Sequence, residues 1–392
     1  MPLSLTLALR NLFHDRLRFI ATLIGIVFSV VLVLVQMGLY SGFGRMVTIV
    51  IDHADTDLWI VSRGVNSMED ISQFNSDIKD KVLAVDGVAE AVPLVIGFSD
   101  WHLPEGGERT PIFVIGSDPK LRGLSPWNVV EGAAQDLSAP DTVAVDRSYY
   151  NRLGISGMGS TAEINRHKVR VAVVTDGVRS FTTMPYVFSN LDAARSYLGL
   201  PPDKISQMLV RIKPGSDLTR VQQDIRSKVT NVEVLTPQEF RQRSRNFWLF
   251  STGAGAALFA GVLLGVIVGT AILAQTLYSN TREHLPEFAA LRAIGCSNRY
   301  IFRIIRYQAL LNAVIGLCLA GAIGAAVVYL TARSALPIII TPLQAGGLVV
   351  IAREEVGQRS TPILGAGLDF RRGRIGLGEQ AEGPRGPSRV DQ

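Results

Sequence analysis

The chain has 392 residues, 47% of them hydrophobic, with a mean hydropathy of +0.26, which is too apolar for an ordinary soluble protein and puts membrane segments first. Its formal net charge is +5, and in a chain of this hydropathy a basic balance points to basic cytoplasmic loops and lipid rather than to nucleic acid. Two cysteines, Cys296 and Cys318, both in the apolar second half, exclude a disulfide framework.

The first segment, residues 1–18, is amphipathic. Leu5, Leu9, Leu12 and Phe13 can share one face, with Arg10, His14 and Arg16 mostly elsewhere. It reads either as a helix lying in the inner headgroup layer or as an extension of the first membrane span. That span is residues 19–40, "FIATLIGIVFSVVLVLVQMGLY", an uninterrupted apolar run. As a helix it reaches about 33 Å, enough to cross a hydrocarbon core of about 30 Å. It is too long for a signal-peptide core and no small-residue cleavage site comes after it, so it reads as a retained span.

Residues 41–246 are long enough to bury a core and mix strand and helix patterns, so the expected class here is α+β. "TDLWIVSRG", "RTPIFVIGSD" and "HKVRVAVVTDG" read as strands, "SQFNSDIKDKVLAVDGV" as a helix ending in a turn, and "DLTRVQQDIRSKVTNVEVLT" as helix, turn and strand. His53, His102 and His167 lack the spacing of metal ligands. Asp52, Asp55 and Asp57 lack the glycine and distal glutamate of a calcium loop, and are expected in a solvated loop. Trp101 sits beside "LPEGGER", a segment that reads either as a mobile turn or as a partner contact. No nucleophile motif and no phosphate-binding G-x-x-x-x-G-K-[ST] occurs, so neither an enzyme nor a P-loop ATPase is expected in this chain.

A second span is expected over residues 247–277, with Phe247 and Trp248 as interfacial anchors, and a third over 304–330, its apolar core starting at Ala309. Residues 336–352 are a fourth candidate, short and interrupted by Pro337, Pro342 and Gly346-Gly347. Gly253, Ala257, Gly261, Gly265 and Gly269 form a small-residue ladder, repeated at Gly316, Ala320 and Gly324, for helix packing within one bundle or between two subunits. Arg10, Arg16 and Arg18 before the first span, and Arg299, Arg303 and Arg306 before the third, form an inner-interface basic set that places the N-terminus and residues 278–303 in the cytoplasm. Residues 41–246 are then outside. The chain is thus expected to be an α-helical membrane protein with three clear transmembrane helices, a fourth candidate, and a large α+β extracytoplasmic domain between the first and second spans.

The polar stretch "TREHLPEFAALRAIGCSNR" separates the second and third spans. Pro286 suits a first helical turn, Glu283 and Glu287 lie near its positive end, Leu285, Phe288 and Leu291 give an apolar side, and Gly295 suits the C′ position. Ser297 or Asn298 can cap the next helix. A linking surface helix and a docking knob both fit this pattern.

With "LALRNLFHDRLRFIATLIGIVFSVVLVL" at the start and "EFAALRAIG" in this loop, the chain resembles ATP-binding-cassette transporter permeases of the FtsX/MacB type. The wider loop and the segments "VDGVAEAVPLVIGFSDW", "VIGSDP" and "PDTVAVDRSYYNRLG" are most similar to the DevC-like branch, associated with glycolipid export. The resemblance covers residues 1–348. It implies a dimer in the bacterial inner membrane, coupled through Glu283, Glu287, Phe288, Leu291, Arg292, Ala293 and Gly295 to a separate cytoplasmic ATPase that holds the ATP and Mg. It also implies a periplasmic membrane-fusion adaptor, an outer-membrane channel, and mechanotransmission, in which ATP-driven motion of the outside domain drives export. Relatives that signal to cell-wall hydrolases imply an alternative, a signal transducer without transport. The chain departs from the pattern after Ala352. Residues 353–392 are rich in Gly, Arg and Glu without periodicity, and read as disordered or as a frameshifted end.

Overall fold

The structure is a computed structural model and describes residues 16–103, 109–283, 290, 292–331, 338–340 and 346. The segment 1–15 with Arg10, the residues Glu287, Phe288 and Leu291, most of the fourth candidate span and the tail lie outside the described residues.

Among the described residues, three long helices are apolar enough to cross a membrane: α1 (Arg16–Met46), α8 (Gly253–Glu283) and α9 (Asn298–Thr331). Between α1 and α8 lies a mixed domain. Its helices are α2 (Ile49–Asp52), α3 (Ile78–Leu83), α4 (Tyr150–Leu153), α5 (Leu191–Leu198), α6 (Leu218–Lys228) and α7 (Pro237–Asn246). Its strands are β1 (Leu58–Ser62), β2 (Phe74–Asn75), β3 (Val88–His102), β4 (Thr110–Ser117), β5 (Val129–Glu131), β6 (Thr142–Asp146), β7 (Thr161–Ile164), β8 (His167–Thr175), β9 (Tyr186–Asn190), β10 (Lys204–Ile205), β11 (Gln207–Ile212) and β12 (Val232–Leu235).

The 15-residue strand β3 organises this domain. Its first half pairs antiparallel with β11, next to β1 and β12. Its second half pairs with β4, Val95 opposite Gly116 through Trp101 opposite Thr110. From there the pairing runs β4–β9–β6–β8–β7 and returns to β3 at Trp101–Ile164 and His102–Glu163, so these six strands close into a small barrel. Inside it, Val95 and Trp101 of β3 and Val169 and Val171 of β8 share one buried cluster with Ile112 and Val114 of β4 and Val143 and Val145 of β6, while Ile96 on the other face of β3 joins a second cluster. Trp101 is 1% exposed and donates Nε1–H to Leu153 O at 3.0 Å, so its side chain is core; residues 104–108 of the adjoining "LPEGGER" stretch lie outside the described residues.

The other expectations for this domain meet a mixed outcome. "SQFNSDIKDKVLAVDGV" is not one helix: Phe74–Asn75 pairs with β10, and only Ile78–Leu83 is helical. Asp77 and Asp80 favour turn and cap conformations there, and the apolar face is short. Asp55 and Asp57 lie in the loop between α2 and β1, with Asp52 and Asp55 exposed as expected of a solvated loop, though each of the three has a partner. Asp52 ends α2 and pairs with Arg241, Asp55 pairs with Arg211, and Asp57 accepts from Ile212 N–H. His53 stacks on Trp127 with ring centroids 4.3 Å apart. No cluster of three or more metal-ligating side chains occurs among the described residues.

In the membrane, α1 is central: it packs against both α8 and α9, which make little contact with each other among the described residues. Close approach comes from small residues. A Cβ at Gly265 would lie 3.1 Å from Gln36 Cγ, and one at Gly269 2.9 Å from Val33 Cγ2. Gly261 likewise faces Gln36, Gly316 faces Ile26 and Gly324 faces Leu34, all on α1. Gly253 has nothing within 4 Å, and Ala257 is exposed. Most of the small-residue ladder therefore seats helices of one chain together.

Candidate functional site at the junction of the outer domain and the membrane helices

The contacts of α1 fix the relative sidedness of the chain. Moving along α1 from Ile26 to Leu34, its partners on α9 advance from Gly316 to Gly324, so the two helices run parallel. Against α8 the order reverses: Gly25 meets Thr276, and Gln36 meets Gly261. The outer domain therefore sits at one end of the bundle, and the end of α8 at Glu283 with residues 292–297 before α9 at the other.

At the domain end, the α1 and α8 sides of the junction are clamped. Ser244 Oγ–H on α7 donates to Val47 O at 3.1 Å, and Arg241 Nε pairs with Asp52 at 3.2 Å. Helix α7 is well started: Thr236 caps it, Pro237 takes the first position, and Glu239 closes a capping box with Thr236 N–H at 2.7 Å. It does not run straight into α8. Residues Phe247–Ser251 form a π-turn and Thr252 is extended, so the second membrane helix begins at Gly253 and not at Phe247. Thr252 Oγ1 accepts from Gly255 N–H at 3.2 Å and caps α8. Gly255 lies so close to the carbonyls of Trp248 and Leu249 that any side chain there would collide with backbone. Trp248, read from the sequence as an interfacial anchor, faces protein here.

Trp248 and Leu249 join Phe43, Met46 and Val47 of the α1 end in one apolar cluster. Among the described residues this cluster contains a single residue from the barrel, Phe181, from the loop between β8 and β9. Its ring is edge-on to Phe43 at 5.6 Å and to Trp248 at 4.6 Å, and it is 7% exposed. Barrel side chains hold that loop. The buried Asp146 carboxylate accepts from Val178 N–H at 2.7 Å, Thr175 Oγ1–H at 3.1 Å and Ser148 N–H at 3.0 Å. Tyr149 Oη accepts from Ser180 N–H at 3.3 Å.

Behind the loop, Tyr186 donates its hydroxyl to Glu69 Oε1 at 3.0 Å, while Glu69 Oε2 is buried without a hydrogen-bond partner. Burial pushes the Glu69 carboxyl up to about 7, against the smaller opposing effect of the Tyr186 hydrogen bond. Burial, reinforced by the charge of Glu69, also raises the Tyr186 phenol well above its ordinary range.

The opposite end carries the basic set. Arg16, Arg299 and Arg303 are exposed there, and of Arg18 and Arg306 the helical backbone is described. Gly295 has φ +100° and donates its N–H to Arg292 O at 3.0 Å, which ends the turn holding Arg292 and Ala293, both exposed. Ser297 O accepts from Tyr300 N–H as α9 begins at Asn298. Glu283 closes α8. Sequence reasoning missed Phe181 and Phe43, which carry no motif. It also missed Gln308 and Asn312, a buried amide pair one turn apart in α9, at 5% and 1% exposure.

Residues 19–228 match the family model described as MacB-like periplasmic core domain, and residues 244–352 match that of the FtsX-like permease C-terminal region. The chain is an ABC transporter permease of the MacB/FtsX type. The permease is 26% identical over 323 residues to an uncharacterised ABC transporter permease of Mycobacterium tuberculosis, found in two strains, covering 80% of this chain and 84% of the relative. Among solved structures, the periplasmic region of MacB from Actinobacillus actinomycetemcomitans overlaps 49% of this permease and 94% of its own chain, at 12% identity and a TM-score of 0.35. The extracellular domain of the ABC-type transporter YknZ from Gram-positive bacteria overlaps 46% and 99%, at 14% identity and a TM-score of 0.32. The assignment rests on the two family models.

Proposed function

We propose that this permease transmits the ATP-driven motion of a separate cytoplasmic ATPase to its outer domain, and so exports a lipid-like or hydrophobic substrate. The observation that carries the reading is the opposed placement of the outer domain and the Glu283 end of α8, with that single helix running between them. A pull on one end of such a helix is felt at the other, because its hydrogen bonds lie along its axis. In this reading the chain is half of a dimer in the bacterial inner membrane, with its N-terminus in the cytoplasm beside Arg16, Arg299 and Arg303. Residues 281–299 form the coupling segment, ATP and Mg belong to the ATPase, and an adaptor and an outer-membrane channel complete the path. The lipid-like substrate rests on the resemblance of the loop and outer segments to the DevC-like branch.

Co-purification tests the coupling. The wild-type permease is expected to retain a P-loop ATPase from its own membranes, with binding lost in Glu287→Lys and Gly295→Leu. Equal retention by both variants overturns the assignment of the loop. Reconstitution with that ATPase then separates export from signalling: extraction of labelled lipid from vesicles supports export, and ATP-dependent change in the outer domain without extraction supports a signal transducer.

A further inference from the structure

We propose that Phe181 is a positioning residue that reads the separation of α1 and α8 and passes it to the closed barrel. The chain enters the outer domain from α1 through α2 into β1, and leaves it from β12 through α7 into α8. Both covalent links therefore end on the half of the sheet outside the barrel. The barrel meets the membrane-helix cluster through its β8–β9 loop, where Phe181 sits between Phe43 on α1 and Trp248 on the turn into α8.

A residue wedged between two elements senses their distance, because close-packed contacts do not stretch: a gap of about half an ångström or more already forfeits roughly a quarter to a half of the dispersion attraction. Whatever changes the spacing of Phe43 and Trp248 must therefore move Phe181 or leave a void beside it. The loop passes the movement on because it is tied at both shoulders. Asp146 on β6 holds Val178 N–H, and Tyr149 holds Ser180 N–H, three and one residues before Phe181. Beyond it, Arg152 donates to Thr183 O, and Tyr186 anchors β9 to Glu69. A displaced Phe181 thus loads strands β6 and β9 directly, without passing through β3.

The proposal needs α1 and α8 to shift relative to each other, but it needs no ATPase, so its failure and that of the export reading are distinguishable. The full chain in lipid nanodiscs is followed by hydrogen–deuterium exchange, with Gly265→Leu as the lever, since a side chain there meets Gln36 and forces α8 from α1. Gly265→Leu is expected to raise exchange at residues 247–251 and, by about threefold, at 176–185. In a Phe181→Ala background the same lever is expected to raise exchange at 247–251 and to add nothing at 176–185. Phe181→Leu, which refills most of the volume, is expected to restore the response. A response at 176–185 that is the same with and without Phe181, or absent in the parent, overturns the proposal. Should Phe181→Ala fail to fold, Trp248→Leu removes the other side of the wedge and is read against the same two segments. A merely structural Phe181 would lower the unfolding temperature without uncoupling the two segments.

Discussion

Single residues in this permease divide into those that set spacing and those that set charge. Gly269 faces Val33 and the Ser29 carbonyl, whereas Gly253 faces open space. Gly269→Val is therefore expected to destabilise the bundle by about 1–3 kcal/mol, as overpacking does, while Gly253→Val leaves detergent unfolding curves nearly unchanged. Glu69 makes a different prediction. Its folded carboxyl titrates near 7 against an ordinary 4.5. A raised acid contributes stability that is complete below 4.5 and is lost as pH rises towards 7. Thermal unfolding of the full chain should accordingly fall in temperature between those values, and Glu69→Gln should flatten that slope. The helix-packing glycines are legible in the sequence because a four-residue ladder has a physical meaning in lipid. Phe181 and Glu69 are not: their roles come from a fold that places them beside residues far away along the chain, Phe43 and Trp248 for the one and Tyr186 for the other, and nothing local announces that.

Elements show the same division. The strands around Trp59, Val114 and Val171 can be read from β-branched runs, and α6 from its periodicity after Asp217, which accepts from Thr219 and Arg220 N–H. Helix α7 also carries a sequence signature, "TPQE", a capping box with proline at the first position. Too few apolar residues come after it for a helical face to show. Thr236→Ala should cost about 1 kcal/mol and raise hydrogen exchange in residues 237–246, with little effect on α9. The closed barrel is beyond sequence reading. Its closure depends on β7 returning to the far end of β3, a pairing set by strand register and not by composition. The π-turn is hidden as well, since "NFWLFSTGAG" reads as continuous apolar helix until the collision at Gly255 is seen.

At the scale of the whole molecule, the sidedness argued from arginines and the sidedness read from helix contacts agree on one relation: the outer domain lies opposite the end of α8 and the start of α9. Single-cysteine labelling decides which end is outside. In a background lacking Cys296 and Cys318, cysteine at the exposed positions Asp86 or Asp141 should react with an impermeant maleimide in intact cells, and cysteine at Arg303 only after permeabilisation. Labelling in the reverse pattern would invert the assigned topology.

The central position of α1 bears on how the molecule is made. Both later membrane helices need α1 as their packing partner, yet α1 leaves the ribosome first and α8 emerges only after the whole outer domain. At about 5–20 residues per second that interval lasts roughly 10–40 s. Throughout it, the face of α1 bearing Gly25, Ser29 and Gln36 has no helix of its own chain to cover it. Ser29 meets this partly by itself, donating its hydroxyl to Gly25 O at 2.8 Å within the same helix. The Gln36 side chain is covered by Gly261 and Gly265 of α8, so the nascent chain carries this amide without that cover until they arrive, and insertion factors that shelter polar groups in the bilayer should contact α1 at Gln36 during that window.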